Sequence, residues 1–124
     1  MSISEVMDAP NAHQAYLWKR GAVNRSWKHR WCELKGDRLL YYTAVSDATP
    51  RGVINLSECE FDLAWNGGSR KHAFKLIGSH GDGTRTVYML AADNAEEREN
   101  WLEMMQGVSR PSGGGVQEGV PPGR

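Results

Sequence analysis

The sequence predicts a mostly β fold of seven short antiparallel strands with one C-terminal helix. Short runs rich in aromatic and β-branched residues indicate the strands, and turns containing Gly, Pro or Asp separate them. A change in the apolar pattern after Asp93 indicates the helix. With 124 residues, of which 40% are hydrophobic, the chain supports one domain with a modest core. Strand pattern alone does not distinguish between the small barrels and sandwiches that such a chain can form.

The predicted strands are separated by recognisable turns. Gly21 to Ser26 form a loop after the first strand, and Lys35-Gly36-Asp37 form a tight turn between the second and third. Residues 66–69 form a flexible hairpin turn, and the Gly-rich residues 78–83 join the last two strands. The strands are predicted at 14–20, 27–34, 38–44, 51–56, 59–65, 71–77 and 84–91.

The helix has both a start signal and an apolar face. Asp93 is the predicted N-cap, and Glu96 follows it at the spacing of a capping box. Acidic residues fill the first turns, where the positive end of the helix dipole favours them. The helix is predicted to end near Gly107, and its apolar stripe comprises Trp101, Leu102, Met105 and Val108.

The domain is expected to span residues 13–109. Residues 1–12 show no periodicity and are predicted to be a flexible leader, and the Gly/Pro-rich residues 110–124 are predicted to be disordered. No apolar run reaches the length of a membrane span, and the N-terminus does not resemble a signal peptide. Cys32 and Cys59 lie in predicted strands and are expected to be free thiols, which favours a reducing, cytosolic setting.

The charge is zero overall but unevenly distributed. Residues 19–51 carry eight basic and three acidic side chains, a net charge of +5, whereas residues 58–103 carry five basic and nine acidic ones, a net charge of −4. A domain polarised in this way can turn its positive end toward an anionic surface. The same asymmetry can also arise by chance.

The positive half contains a cluster at the mouth of one loop. Lys28 and Arg30 are two residues apart on a predicted strand and therefore share a face. The preceding hairpin brings Lys19 beside them. Three fixed cations around one loop form a socket for a multiply phosphorylated anion. Taken alone, the pair on the second strand could equally be ordinary solvated charges.

These segments together resemble the pleckstrin-homology (PH) domain over residues 13–108, and in particular its phosphoinositide-binding subset. The resemblance rests on Ala15–Lys19, Trp27–Trp31, Leu40–Tyr42, Pro50–Leu56 and the closing helix with Trp101, in this order and spacing. It implies a seven-stranded barrel or sandwich of two nearly orthogonal sheets, capped by the amphipathic helix. The matching tryptophan in the family plugs one end, so Trp101 is expected to be structural.

The resemblance also implies which residues bind the headgroup. Lys19, Lys28 and Arg30 match the basic residues on the first two strands of the family. Tyr42 and Arg51 match a tyrosine and an arginine that contact phosphate in members selective for 3-phosphorylated lipids. The implied ligands are PI(3,4)P2 and PI(3,4,5)P3.

Four loop residues are expected at the edge of this site. Ala22 follows Gly21 where the loop passes closest to the headgroup, and its methyl group can crowd a 5-phosphate, which favours PI(3,4)P2. Val23 and Arg25 are expected to touch the bilayer, since Val23 can enter the interface and Arg25 can meet anionic lipid. His80 can approach the site from the 78–83 loop, although an exposed loop residue is the simpler interpretation.

The remaining function classes are weaker. No spacing indicates a metal site or an activated nucleophile, so neither enzyme activity nor a cofactor is expected. Zero net charge and the lack of a basic stripe with stacking aromatics argue against binding of nucleic acid.

Two functional hypotheses remain. The first is a monomeric cytoplasmic module that binds phosphoinositides and is recruited peripherally to plasma or endosomal membranes. The alternative is a protein-interaction module that uses a groove between the helix and the fifth strand, around Phe61, Leu63 and Met104.

Overall fold

The computed structural model describes residues 11–21, 25–65 and 70–109. In this part of the chain the predicted seven antiparallel strands and C-terminal helix are confirmed. The predicted leader, apart from its last two residues, and the predicted tail lie outside the described residues. The elements are β1 (Asn11–Arg20), β2 (Trp27–Lys35), β3 (Arg38–Tyr42), β4 (Gly52–Asn55), a short 3-10 helix (Leu56–Glu58), β5 (Cys59–Asp62), β6 (Ala73–Ser79), β7 (Arg85–Ala91) and α1 (Ala95–Ser109).

The seven strands form one hydrogen-bonded sheet in the order β4-β3-β2-β1-β7-β6-β5. The two sheets expected from the resemblance are therefore joined through β1. This strand has ten residues and pairs with β2 over most of its length. Its C-terminal end, from Trp18 to Arg20, pairs with β7 as well. Each half of the sheet thus continues into the other through one shared strand.

The hairpin between β2 and β3 sets the register of the site. Its turn consists of Gly36 and Asp37, because Lys35 already pairs with Arg38. Gly36 has a φ of +57°, a conformation that glycine adopts without the steric cost of a Cβ. Counting back from this turn places Cys32 opposite Tyr41 and Trp31 opposite Tyr42.

The main core lies on one face of the sheet. Leu17, Leu39 and Phe74 are fully buried there, and α1 closes one end with Trp101 and Met105, which are also fully buried. Trp101 packs edge-to-face against His13, with ring centroids 4.5 Å apart. Trp101 is thus part of the core.

The start of α1 differs from the prediction by one residue. The side chain of Asn94, rather than that of Asp93, caps the helix, since its Oδ1 accepts a hydrogen bond from the Glu97 amide at 2.8 Å. Asn94 and Glu97 have the same capping spacing as Asp93 and Glu96, one position later. The Asp93 carboxylate instead accepts a hydrogen bond from the Trp18 indole at 2.9 Å.

Candidate functional site

The basic residues of β1 and β2 lie on the core-facing side of the hairpin, close to where β1 ends and β2 begins. Lys19 pairs with Lys28, and Leu17 pairs with Arg30. By alternation along each strand, Lys19 lies on the same face as the buried Leu17, and Arg30 lies on the same face as the buried Cys32. The cations therefore continue the apolar rows of the core out to the rim of the sheet.

A cavity of about 180 Å³ opens at this rim. Among the described residues, those that line it carry four cationic side chains, one phenol and no carboxylate. They are Lys19, Gly21, Lys28, Arg30, Tyr41 and Arg51. The structure thus brings together four of the five headgroup residues that the sequence predicts. The composition of the lining suits an anion with several negative charges.

Tyr41 is the cavity residue that sequence reasoning missed. Its ring lies under the Lys19 ammonium, with the nitrogen 4.7 Å from the ring centroid. This distance is within the range of a cation–π interaction. The backbone carbonyl of Tyr41 accepts a hydrogen bond from the Arg51 amide at 2.8 Å, which ties the start of β4 to the cavity.

Tyr42 was expected in the cavity, and the structure corrects this placement. Its side chain lies on the other face of the sheet, only 3% exposed, in a small cluster with Leu40 and Trp31. The Tyr42 hydroxyl donates to Glu33 Oε1 at 3.0 Å, and the Trp31 indole donates to Glu33 Oε2 at 3.0 Å. Burial, followed by the hydrogen bond to Glu33, raises the pKa of Tyr42 to about 12.

The length of the turn between β2 and β3 is what distinguishes the two tyrosines. A two-residue turn at Gly36 and Asp37 pairs Cys32 with Tyr41, and Cys32 shares its face with Arg30. Tyr41 must then lie on the cavity side. Taking the turn one residue longer reverses this result, because each residue of register shift moves a side chain to the opposite face.

The electrostatic state of the cavity follows from burial and from crowding of like charges. The pKa of Lys19 is lowered, first by burial and then by the positive charges of Arg30 and Arg51. Burial raises the pKa of Tyr41, so its hydroxyl remains a neutral donor at physiological pH. The Cys32 thiol lies at the inner end of the same face, and burial raises its pKa to about 12. The unliganded cavity therefore holds repelling cations that an anion can neutralise.

The loop residues predicted near the site have different outcomes. Ala22 and Val23 lie outside the described residues. Arg25 is exposed where the description of the loop resumes. His80 is not among the residues that line the cavity, and its Nε2 lies 2.8 Å from the Thr86 hydroxyl in the hairpin between β6 and β7.

The groove beside α1 is the second surface that the sequence singled out. Leu63 is 41% exposed and borders a cavity of about 380 Å³ next to the helix. Phe61 and Met104 pack partly against the core instead. The remaining lining residues are mostly polar or charged: Arg98, Glu99, Leu102, Glu103 and Gln106. Over the part of the chain described, this groove presents one well-exposed apolar side chain, not a continuous apolar surface.

Residues 11–21, 25–65 and 70–109 contain neither a cluster of metal-ligating side chains nor a helix that could span a membrane. These ranges contain no group of three or more His, Cys, Asp or Glu side chains placed to hold a metal ion. The helix they contain lacks the length and apolar character needed to cross a membrane.

Comparison with known proteins identifies a family and several relatives for this chain. The model of the PH domain family matches residues 11–110. A RAC family serine/threonine-protein kinase homolog from Dictyostelium discoideum is 33% identical over 97 residues, which cover 78% of this chain and 21% of that protein. Human Sesquipedalian-1 is 29% identical over 102 residues, covering 82% of this chain and 39% of that protein. The chain thus spans well under half the length of these two curated relatives.

Solved structures of PH domains superpose on this chain. The C-terminal PH domain of pleckstrin, in complex with D-myo-Ins(1,2,3,5,6)P5, superposes with a TM-score of 0.69 at 29% identity, covering 82% of this chain and 98% of that one. The PH domain of human KIAA0053 protein superposes with a TM-score of 0.72 at 25% identity, covering 86% of this chain and 97% of that one.

Proposed function

The chain belongs to the PH domain family, and from this premise we propose that it is a phosphoinositide-binding module that recruits the protein carrying it to membranes. One observation carries the proposal. Lys19, Lys28, Arg30 and Arg51 line one small cavity together with the Tyr41 ring, and no carboxylate from the described residues faces them. The proposed ligand is a headgroup phosphorylated at the 3-position, in PI(3,4)P2, PI(3,4,5)P3 or both.

Each side chain has a distinct part in the proposed recognition. Arg30 offers a planar guanidinium fork that can donate two parallel hydrogen bonds to one phosphate. Lys19 and Lys28 face each other across the β1–β2 pair and serve as point charges between neighbouring phosphates. Tyr41 supplies a neutral hydroxyl donor and takes the part that the sequence assigned to Tyr42. Arg51 completes the ring of charge from the start of β4.

The relatives support the class of ligand. The C-terminal PH domain of pleckstrin, which is 29% identical to this chain, has been solved as a complex with an inositol pentakisphosphate. Preference for the 3-phosphate rests on the sequence resemblance around Arg51. The leaning toward PI(3,4)P2 rests on Ala22, whose methyl group would crowd a 5-phosphate.

Membrane recruitment is consistent with the distribution of charge. The half of the chain that contains the cavity carries a net charge of +5, and residues 58–103 carry a net charge of −4. A monomer with this polarity would approach an anionic bilayer with the cavity leading. Arg25, which is exposed two residues before β2, would add about 1 kcal/mol of attraction at most. We place the protein in the cytoplasm, recruited peripherally to plasma or endosomal membranes.

The test is sedimentation with liposomes that each contain one phosphoinositide, across the full panel of these lipids. Wild type is compared with Arg30→Ala and with Lys35→Ala, which removes a charge from the opposite end of the same strand. We expect selective sedimentation with PI(3,4)P2 or PI(3,4,5)P3, lost in Arg30→Ala and retained in Lys35→Ala. Equal weak binding to every anionic lipid, with both variants affected alike, would contradict the proposal and leave protein interaction at the Leu63 groove as the alternative.

A further inference from the structure

The Tyr41 ring lies directly against the backbone of Gly52. The two residues are cross-strand partners in the β3–β4 ladder. A Cβ atom built on Gly52 would come closer than 3.0 Å to the hydroxyl oxygen, Cζ and Cε1 of Tyr41. Real Cβ atoms essentially never approach other atoms so closely, so a side chain at this position requires the ring to move.

Backbone conformation does not explain the glycine at position 52. The described glycines with positive φ are Gly36 and Gly83, and Gly52 is not one of them. Any residue could adopt the backbone conformation of Gly52, in the regular strand β4. What the chain requires there is the absence of a side chain, which leaves room for the ring of Tyr41.

Tyr41 also contacts two cationic residues of the cavity, Lys19 through its ring and Arg51 through its backbone. The Lys19 ammonium lies 4.7 Å from the Tyr41 ring centroid. The Arg51 amide donates to the Tyr41 carbonyl at 2.8 Å, one residue before Gly52. Displacement of the ring would therefore move a phenol hydroxyl and remove the support of one cation at the same time.

We propose that Gly52 is a positioning residue of the headgroup cavity, which sets the place of the Tyr41 hydroxyl and, through the Tyr41 ring, that of the Lys19 ammonium. This inference rests on the proposed function for its consequence in binding. Gly52 itself has no side chain to offer a ligand, and it acts by leaving space. A methyl group at position 52 is then expected to weaken binding without changing the charge of the cavity.

A double-mutant cycle separates this role from a general effect on the fold. Affinities for the soluble headgroups D-myo-Ins(1,3,4)P3 and D-myo-Ins(1,3,4,5)P4 are measured by calorimetry for wild type, Gly52→Ala, Tyr41→Ala and the double variant. Gly52→Ala alone should weaken binding about tenfold, the size expected for one lost hydrogen bond to a charged group. In the Tyr41→Ala background the same change should cost less than about twofold, since no ring remains to be displaced.

Val53→Ala is the matched control. Val53 is the next residue of the same strand and is 36% exposed. Val53 pairs with Leu40 and not with Tyr41, so its truncation changes a side chain of the same strand without placing an atom against the ring, and affinity should be unchanged. Equal losses for Gly52→Ala in the two Tyr41 backgrounds would overturn the inference, as would wild-type affinity in Gly52→Ala.

A second readout needs no ligand. Because the Lys19 ammonium lies 4.7 Å from the Tyr41 ring centroid, the ring current of Tyr41 should shift the Lys19 Cε protons in NMR spectra. This shift should shrink in Gly52→Ala but persist in Val53→Ala. If wild type binds neither headgroup, the proposed function fails, and the predicted effect of Gly52 on binding fails with it. If the Lys19 resonance is unchanged in Gly52→Ala, Gly52 does not set the position of the Tyr41 ring. If Gly52→Ala does not fold, restoration of the fold by the added Tyr41→Ala change supports the contact, and lack of restoration opposes it.

Discussion

Tyr41 and Tyr42 are adjacent in the chain and serve opposite faces of the sheet. The Tyr41 ring lies under the Lys19 ammonium at the cavity, whereas the Tyr42 hydroxyl donates to Glu33 on the outer face at 3.0 Å. The same chemical change in either residue should therefore have different consequences, one for binding and the other for stability.

Removing one hydroxyl at a time tests this division. Tyr41→Phe should weaken soluble headgroup binding about tenfold, through loss of a donor to phosphate, with little change in melting temperature. Tyr42→Phe should leave affinity unchanged and lower stability by about 1 kcal/mol, because the part-buried Glu33 carboxylate loses the hydroxyl donor of Tyr42. Calorimetric titration and thermal melts of both variants provide the measurement. A loss of affinity confined to Tyr42→Phe would show that the register is wrong.

The contrast between these tyrosines also shows how far the sequence can predict the site. Alternation along a strand is a local property that places Lys28 and Arg30 on one face, and the β1–β2 hairpin brings Lys19 beside them. The face of the sheet on which Tyr41 lies depends on whether the hairpin turn contains two residues or three, and the composition of the turn alone does not decide this. Once the turn is known to consist of Gly36 and Asp37, the cross-strand partner and the face of every other β3 residue follow.

The helix start shows a different limit. Two overlapping pairs, Asp93 with Glu96 and Asn94 with Glu97, fit the capping pattern equally well. The choice between them is made by Trp18, which lies 75 residues earlier in the chain and whose indole donates to Asp93. A contact of this kind is tertiary, and a local pattern contains no information about it.

Asn94→Ala should reveal which residue caps α1. Loss of the hydrogen bond to the Glu97 amide is expected to lower the free energy of unfolding by about 1 kcal/mol. Asp93→Ala should lower the free energy of unfolding by less. It removes the carboxylate that accepts from the Trp18 indole, and because this hydrogen bond is exposed, water can accept from the indole instead. Urea denaturation of the two variants measures both values. The reverse order of costs would restore Asp93 as the cap.

The two cysteines should be unreactive in the folded protein. Burial raises the pKa of Cys32 to about 12, and burial together with the charge of Glu58 raises the pKa of Cys59 to about 11. Because the thiolate is the reactive form, labelling by a thiol-specific disulfide reagent at pH 8 should be very slow for both. Cys59 is partly exposed and should react first. Unfolding in urea should restore prompt labelling, and rapid labelling of native Cys32 would be inconsistent with its burial.

Arg30→Lys tests whether the shape of the cation matters as well as its charge. The substitution keeps the positive charge in the cavity and removes the planar fork. We expect about a tenfold loss of headgroup affinity, which corresponds to the loss of one charge-assisted hydrogen bond. The dependence of affinity on salt should change little, since the number of cations is the same. Full retention of affinity in Arg30→Lys would mean that Arg30 acts as a point charge.

Lys19→Met should stabilise the unliganded fold while it abolishes selective headgroup binding. Lys19 is partly buried beside Arg30 and Arg51, and burial and these charges hold its pKa below its ordinary value of 10.5. The folded state therefore disfavours the ammonium that the unfolded chain retains, and the resulting penalty is present in full below the folded pKa. Because water screens a half-exposed group, the gain on removing the charge should be modest, about 0.5–1 kcal/mol.

The stability difference between Lys19→Met and wild type should depend on pH. As pH rises through the lowered pKa of folded Lys19 toward 10.5, the wild-type protein loses its penalty, and the stability difference between variant and wild type should shrink. Thermal melts of both proteins from pH 7 to pH 10, compared at each pH, measure that difference directly. Lys35→Met is the control and should show no comparable gain, since Lys35 lies at the opposite end of β2. A variant that is less stable than wild type at neutral pH would show that the cation–π contact of Lys19 with Tyr41 outweighs burial and repulsion, and that the cavity is not strained by its own charges.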